Sequence, residues 1–399
     1  MTQKIKNPSI KVGYSQKKNP EEAVEEIFSQ IKQENTKLII FFAPAPYNQE
    51  AVNKAFRKRI SIKTPFIGCS SVRVKVPFVR MIDNITPDGF KEAIVAMSIA
   101  SDDIQASVRL IKDIKEDCQE KAKTALIEAS KDLGIDPKNT DPQKYFGILL
   151  CDVMAEKEEE ILETLYARSN FLFVGGGSCG KHSLIKGIMP GFIHAHDGVF
   201  NNAAAIAVVK TEIPFKIDMT TSVVPTSTKI EITKVKNRKV YEINGRPAAK
   251  EYAKLLGVPK LFLGTKQIGN YWLFTDHPFG LMVKDRAFIR DAAWREGDAL
   301  MMGCNAKKGE ILYLMERKDI IVPTQKMIKR LKDELGEISG ILAFQCAYRF
   351  FEAYRSNKAN ELFEVLNIAP IIGLNSYGEY YGWASLAQTL TILAFGKKE

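Results

Sequence analysis

Histidine and tryptophan are scarce in this chain, four and three among 399 residues. The six cysteines, Cys69, Cys118, Cys151, Cys179, Cys304 and Cys346, form no Cys-x-x-Cys pair. The ligand spacing of a zinc finger is likewise missing. Thiols in apolar or glycine-rich strand contexts pack as small hydrophobes, and without a secretory leader the expectation is a cytoplasmic protein with reduced cysteines. No apolar run approaches the ~20 residues of a membrane span, so no membrane partner is expected. A Walker-type Gly-Lys-Ser/Thr ending and the Gly-x-Gly-x-x-Gly fingerprint are both missing. The formal charge is +10, yet Lys and Arg are scattered over every element with no long basic run and no aromatic-basic RNA signature. That pattern reads as a solvated basic surface, with no nucleic acid as partner.

What the sequence does contain is a pattern used three times. The short apolar runs at 38–42, 146–150 and 341–344 are strands, each followed by a helical segment of roughly 15 residues and then by a strand that ends in small residues. Those endings are Phe66-Ile67-Gly68-Cys69-Ser70-Ser71, Phe173-Val174-Gly175-Gly176-Gly177-Ser178 and Ile371-Ile372-Gly373-Leu374-Asn375-Ser376. Beyond them Asp88-Gly89-Phe90 and Asp197-Gly198-Val199 open further strands at nearly matched intervals, and 389–395 closes the third copy. The expectation is a mixed α+β (α/β) protein of repeated strand-helix-strand-strand modules in two packed domains with mixed sheets, 1–212 and 213–399.

In chain order, 9–14 reads as a strand and 23–32 as a helix with Val24, Ile27, Phe28 and Ile31 on its core face. Residues 47–59 read as a helix, 72–82 as an exposed β-ribbon, 102–134 as a helical crossover, and 152–169 as the second module's helix. Gly175 to Ser178 reads as a turn, either open to an anion or flat ligand or simply tight. The second half reads as β-rich, with strands at 230–241, 271–274, 280–283, 288–293 and 299–303 and helices at 248–256 and 323–335.

The candidate chemistry sits where buried strands exit into polar turns, the place where α/β folds offer backbone N–H groups and small side chains to a ligand. The candidate ligand-binding residues are Cys346, Arg349, Gly373, Asn375, Ser376 and Glu379, with Gly68, Ser70, Gly176, Gly177 and Ser178 from the earlier copies. If they face one cleft, Arg349 can hold a carboxylate as a bidentate pair and Glu379 an ammonium, with Asn375 and Ser376 adding neutral hydrogen bonds. Together they would hold both ends of an amino acid. A salt bridge between Arg349 and Glu379 would explain both residues equally. His194 and His196 fall on one face of a strand and are the weak metal candidates; two surface histidines on a ribbon is the plainer reading. No catalytic residue is expected, and the enzymatic alternative is Cys346 as a nucleophile served by His277 and Glu379.

The motifs RPAAKEYAKLLG (246–257), HPFG (277–280), AFQCAYR (343–349) and APIIGLNSYGE (369–379), with FIGCSS, FVGGGS and the DGV strand upstream, resemble the FIST sensory domain in its N-terminal and C-terminal parts. The resemblance covers nearly the whole chain. It implies an intracellular input domain for signal transduction that binds small ligands such as amino acids or related metabolites. Such domains occur fused to methyl-accepting, kinase or cyclic-nucleotide modules in bacteria and to an F-box in eukaryotes. Some stand-alone relatives bind haem, respond to nitric oxide and regulate a histidine kinase. This sequence carries no output module, so the expected partner is a separate signalling protein such as a histidine kinase or chemoreceptor. Haem is the cofactor the resemblance holds open, with His182, His194, His196 and His277 as the imidazoles, of which His277, in HPFG, is expected to be structural.

Overall fold

The computed structural model describes residues 8–71, 75–76, 79–80, 84–183, 187–266 and 271–397. The chain divides into two compact units, one of residues 1–220, 324–384 and 390–399 and the other of residues 221–323 and 385–389. Both combine helices with sheets, the mixed α+β class expected from the sequence.

The first unit repeats one local solution three times. In its first copy Asn19 accepts hydrogen bonds from the Glu21 and Glu22 amides at 2.9 and 3.3 Å. Pro20 takes the first position of helix Pro20–Ile31, where a missing N–H is no loss. Strand Thr36–Pro44 reads as an unbroken apolar run because it is covered on both faces. Leu38, Ile40 and Phe42 point into a core shared by all three copies. Ile39, Phe41 and Ala43 point the other way, against Ile27, Val52 and Phe56 of helices Pro20–Ile31 and Gln49–Arg57. The chain returns through Phe66–Ser71, parallel to Thr36–Pro44, and the antiparallel strands Ile94–Ala100 and Ser9–Ser15 extend the sheet on the other side.

The second copy repeats this sheet order with Ile104–Lys112, Ala203–Thr211, Tyr145–Asp152 and Phe173–Ser183. The third uses Phe215–Thr221, Thr389–Gly396, Ile338–Cys346 and Ile371–Ser376. Phe146, Ile148 and Leu150 of the second copy and Leu342, Phe344 and Leu374 of the third meet Phe42 and Ile67 in the shared core.

Each sheet is completed by a strand from another copy. The arm Ile193–Ala195 of the second copy pairs with Phe66–Ser71 of the first, and Asn84–Thr86 of the first pairs with Ile371–Ser376 of the third. Glu379–Tyr381 of the third pairs with Phe173–Ser183 of the second, which closes the ring. The Asp-Gly pairs of the first two arms are hairpin turns, with Gly89 and Gly198 at φ of 120° and 131°, values that L side chains rarely adopt. His194 fixes the second arm to the first copy. It is buried, with Nε2 3.0 Å from Gln49 Oε1, Nδ1 3.5 Å from Asn53 Nδ2 and its ring edge-on to Phe41. Burial holds its pKa down at about 3, so the ring is neutral.

The second unit is inserted in the third copy. Its sheet runs Arg286–Arg290, Phe279–Val283, Ile311–Arg317, Val223–Lys236, Lys239–Ile243, Ala299–Met302, Ala292–Glu296. Tyr252, on helix Ala248–Leu255, stacks on Phe274 and donates from its hydroxyl to the His277 carbonyl at 2.7 Å. The RPAAKEYAKLLG and HPFG motifs therefore meet around one buried tyrosine, and His277 contributes through its backbone.

Several sequence expectations are corrected. Within 102–134 only Cys118–Asp132 is helical, and Ile104–Lys112 is the first strand of the second sheet, with Ile104, Ala106, Val108 and Leu110 alternating with Gln105, Ser107 and Arg109. Gly175 to Ser178 is no turn; it lies inside strand Phe173–Ser183. The strand Tyr145–Asp152 runs to Asp152, and the helix after it is confined to Glu158–Arg168. Tyr271–Asp276 is a helix where a strand was expected. Of the 72–82 ribbon only the paired strands Lys75–Val76 and Val79–Arg80 are described; the rest lies outside the described residues.

Two expectations test this packing. A Cβ at Gly175 would stand 1.8 Å from the Leu149 carbonyl oxygen, whereas at Gly176 it would meet Phe344 and Ser376 side chains at 3.0 Å. Gly175→Ala is expected to cost more than about 3 kcal/mol or to abolish folding, against about 1 kcal/mol for Gly176→Ala. Equal denaturation midpoints would contradict this packing. For His194 the unfolded state gains a proton as pH drops below about 6.5, while the folded state does not until about 3. Its contribution is complete above the unfolded pKa and is lost as pH falls, by up to about 1.4 kcal/mol per pH unit. His194→Gln should show a shallower fall in stability between pH 7 and pH 5 than the parent chain. Parallel curves would mean that His194 is not held neutral.

Candidate functional site

The three parallel strand pairs end at matching positions. Ser71 lies opposite Pro44, Ser178 opposite Asp152 and Ser376 opposite Cys346. The sequence-predicted residues are thereby gathered at one end of the three sheets, and nearly all of them are buried.

In the first two copies these residues serve to join strands. Ser70 Oγ stands 3.0 Å from Ser178 Oγ and accepts from the Phe192 amide at 2.9 Å, while Ser178 Oγ donates to the Ser70 carbonyl at 2.8 Å. The Phe192 carbonyl in turn accepts from the Ser70 amide at 2.8 Å. The glycines are required by close packing: a Cβ at Gly68 would strike the Phe41 ring at 2.4 Å, and one at Gly177 would strike Val153 at 2.1 Å and the Tyr377 carbonyl at 2.3 Å. At Gly373 it would meet Ile85 of the first copy's arm at 2.7 Å. Asp152, which sequence reasoning missed, accepts from the Gly191, Met154 and Asn202 amides at 2.8, 3.1 and 2.8 Å. Burial pushes its carboxyl up, against these three donors, which favour the charged form.

The third copy is chemically different. Cys346 ends its strand and precedes helix Ala347–Arg355, with its thiol buried. Arg349, in the first turn of that helix, is 0% exposed and donates from Nη2 to Thr324 Oγ1. Glu379, also 0% exposed, opens the arm opposite Gly176 and accepts from Ser376 Oγ at 2.7 Å. Asn375 lies opposite Gln345, whose amide nitrogen reaches Asn375 Oδ1 at 3.4 Å. Gln345 Oε1 and Ser71 Oγ are buried without a hydrogen-bond partner among the described residues. Gln345 was detectable, since it interrupts an apolar strand at the position facing Asn375. Thr324 was not, because it comes from a helix far upstream.

No group of three potential metal ligands occurs among the described residues. His194 has both ring nitrogens engaged, as described above. His196 Nε2 lies 2.8 Å from the Thr64 carbonyl, and its ring is edge-on to Phe66. The side chain of His182 lies outside the described residues. All six cysteines are buried and outside any disulfide, and burial drives the Cys69 pKa far above the usual thiol range. Three surface clefts of about 900, 710 and 530 Å³ lie elsewhere in the first unit, and none is lined by Arg349 or Glu379.

Comparison with known proteins agrees with the motifs. An uncharacterized protein of Methanocaldococcus jannaschii is 25% identical over 227 residues, 54% of this chain and 41% of that protein, so the chain spans about two fifths of that relative's length. Among solved structures, cyanuric acid hydrolase from A. caulinodans superposes with a TM-score of 0.38 at 9% identity, covering 98% of this chain and 99% of that one. PurLQS from Thermotoga maritima gives 0.23 at 10% identity, covering 100% and 74%. Neither likeness is close enough to carry an argument about activity. The FIST N domain model matches residues 37–246 and the FIST C domain model residues 248–382. The chain therefore belongs to the FIST family, sensory domains proposed to bind small ligands and to work in signalling.

Proposed function

We propose that this protein binds an amino acid or a related metabolite where its three strand pairs end, and signals through a separate protein such as a histidine kinase or chemoreceptor. The observation that supports this reading is the pair of oppositely ionising side chains, Arg349 on helix Ala347–Arg355 and Glu379 on the third copy's arm, both fully buried near the strand ends that carry Gln345, Asn375 and Ser376. Burying an ion costs several kcal/mol even after relaxation, and a ligand that carries both charges would offset part of that cost. A guanidinium presents a planar fork to a carboxylate, and a carboxylate accepts from an ammonium; the two charges suit the two ends of an amino acid. Asn375 and Ser376 supply neutral hydrogen bonds, and Gly373 and Cys346 form the adjoining wall. Gly68, Ser70, Gly176, Gly177 and Ser178 shape the floor through backbone packing and do not contact the ligand in this reading.

Two rival readings differ in what they need. Haem needs an available imidazole, and with His194 fully engaged that role falls to His182, His196 or His277. A cysteine-dependent enzyme needs a base beside Cys346. The test is a thermal-shift and calorimetric screen of amino acids, their keto acids and their amines, with an absorption spectrum of the protein from haem-supplemented cells. One amino-acid class is expected to raise the melting temperature. Arg349→Lys, which keeps the charge but removes the fork, should weaken it about tenfold or more. Glu379→Gln should narrow the gap between the amino acid and its amine-free analogue. Undiminished binding by both folded variants would sink the strand-end site, and a Soret band lost on replacing a histidine would put haem in its place.

A further inference from the structure

Lys and Arg looked scattered in the sequence, but the fold concentrates several of them at one opening. A cleft of about 710 Å³ lies between helix Gln49–Arg57 and the arm that carries Ile193–Ala195 and Gly198–Phe200. Its volume lies within the ordinary range of small-molecule sites. Lys54, Arg57 and Lys58 line one side, and Glu50 is the one carboxylate among the lining residues. Neither Lys54 nor Arg57 makes an ion pair among the described residues. Lys58 shares Glu21 at 3.4 Å. The opposite side is apolar: Val199 and Phe200 of the arm, and Ile62, which is 75% exposed. Lys112 stands over the Phe200 ring at 4.2 Å and adds positive charge behind that wall.

A helix C-terminus favours cations through its dipole, which accounts for Lys54 and Arg57 being tolerated there. It does not account for an apolar wall facing them across an open cleft. Unneutralised cations on one side, and on the other the exposed Ile62 with the half-buried Val199 and Phe200, complement an anion that carries an apolar body. We propose that this cleft binds a small organic anion of the phosphate-monoester or dicarboxylate type. Arg57 and Lys54 hold its charged group, and Ile62, Val199 and Phe200 cover its apolar part. Such a ligand would touch both the first copy's helix and the second copy's arm, which Asn53 already joins by donating to the Ala195 and Gly198 carbonyls at 3.2 Å. Occupancy would tighten one of the three arm pairings on which the ring depends.

The experiment is calorimetric titration of the full chain with 1-naphthyl phosphate, inorganic phosphate and phenylsuccinate at 20 and 200 mM salt. Naphthyl phosphate or phenylsuccinate is expected to bind about tenfold more tightly than inorganic phosphate, and more weakly at high salt. The better of the two identifies the charged group. Lys54→Gln/Arg57→Gln should reduce binding at least tenfold, while Phe200→Leu should remove the advantage over inorganic phosphate and leave phosphate binding itself intact. The first two residues are exposed, so folding of that variant is not at risk. No binding of any probe, or equal binding by parent and Lys54→Gln/Arg57→Gln, would overturn the proposal. A single-stranded RNA that displaces naphthyl phosphate and loses affinity in the same variant would also overturn it, in favour of a nucleic-acid surface. Neither Arg349 nor Glu379 lines this cleft, so the outcome is independent of the strand-end site.

Discussion

The pairing of each copy's arm with another copy's sheet is the constraint on which the first unit rests. A copy alone ends in an open edge, at Phe66–Ser71, Phe173–Ser183 or Ile371–Ser376, with a row of backbone groups that water or another strand must satisfy. The fold satisfies each edge internally, and three such exchanges close on themselves. Closure in turn aligns the inner faces of three sheets around one core, so that Phe42, Leu150 and Phe344 share one apolar interior. It also brings the three strand ends, with their serines, to one place. The core and the candidate site are consequences of the same backbone pairing.

This organisation was partly visible in the residues. Apolar runs covered on two faces are hard to miss, so Thr36–Pro44, Tyr145–Asp152 and Ile338–Cys346 stood out, as did the small-residue strands that follow them. The Asp-Gly landmarks marked the first two arms correctly. The third arm was not recognised as their counterpart, because its turn is made by Gly382 and Trp383 in place of Asp-Gly. Ile104–Lys112 alternates apolar residues with Gln105, Ser107 and Arg109, but the charge-rich helix Cys118–Asp132 that follows dominates a reading of 102–134 as one segment. The triple glycine looked like a turn because glycine usually signals one. Here it is the absence of side chains that matters, since Gly175 lies against the Leu149 carbonyl and Gly176 beside Phe344. Which arm pairs with which sheet is a long-range choice, and no local signal in the sequence could have specified it.

The buried polar groups divide into two kinds. Ser70, Ser178 and Asp152 are surrounded by backbone donors and acceptors from neighbouring strands, and each replaces a hydrogen bond that the sheet can no longer supply where it ends. They account for themselves structurally, and so does His194, whose two nitrogens meet Gln49 and Asn53. Arg349 and Glu379 are of the other kind. Both are ionisable side chains wholly removed from water, with Thr324 and Ser376 among their partners.

The repeated architecture supplies its own control for this distinction. Counting from the matched strand ends Pro44, Asp152 and Cys346, the place of Arg349 is taken by Tyr47 in the first copy and by Ala155 in the second. Tyr47 donates to the Lys17 carbonyl at 2.7 Å, and Ala155 is packed in a core. The place of Glu379, opposite Gly176, is taken by Asn84 opposite Leu374 and by Ile193 opposite Cys69. Asn84 donates to the Ala93 carbonyl at 2.8 Å, and Ile193 is core. Two of three equivalent positions are thus filled by neutral residues in both cases, which means that the backbone pairing does not itself require an ion at either one. Both departures fall in the same copy and carry opposite charge. An arginine or a glutamate at these positions is therefore a property of the third copy and not of the shared backbone pairing. At these two positions the third copy departs from the neutral residues that the other two keep.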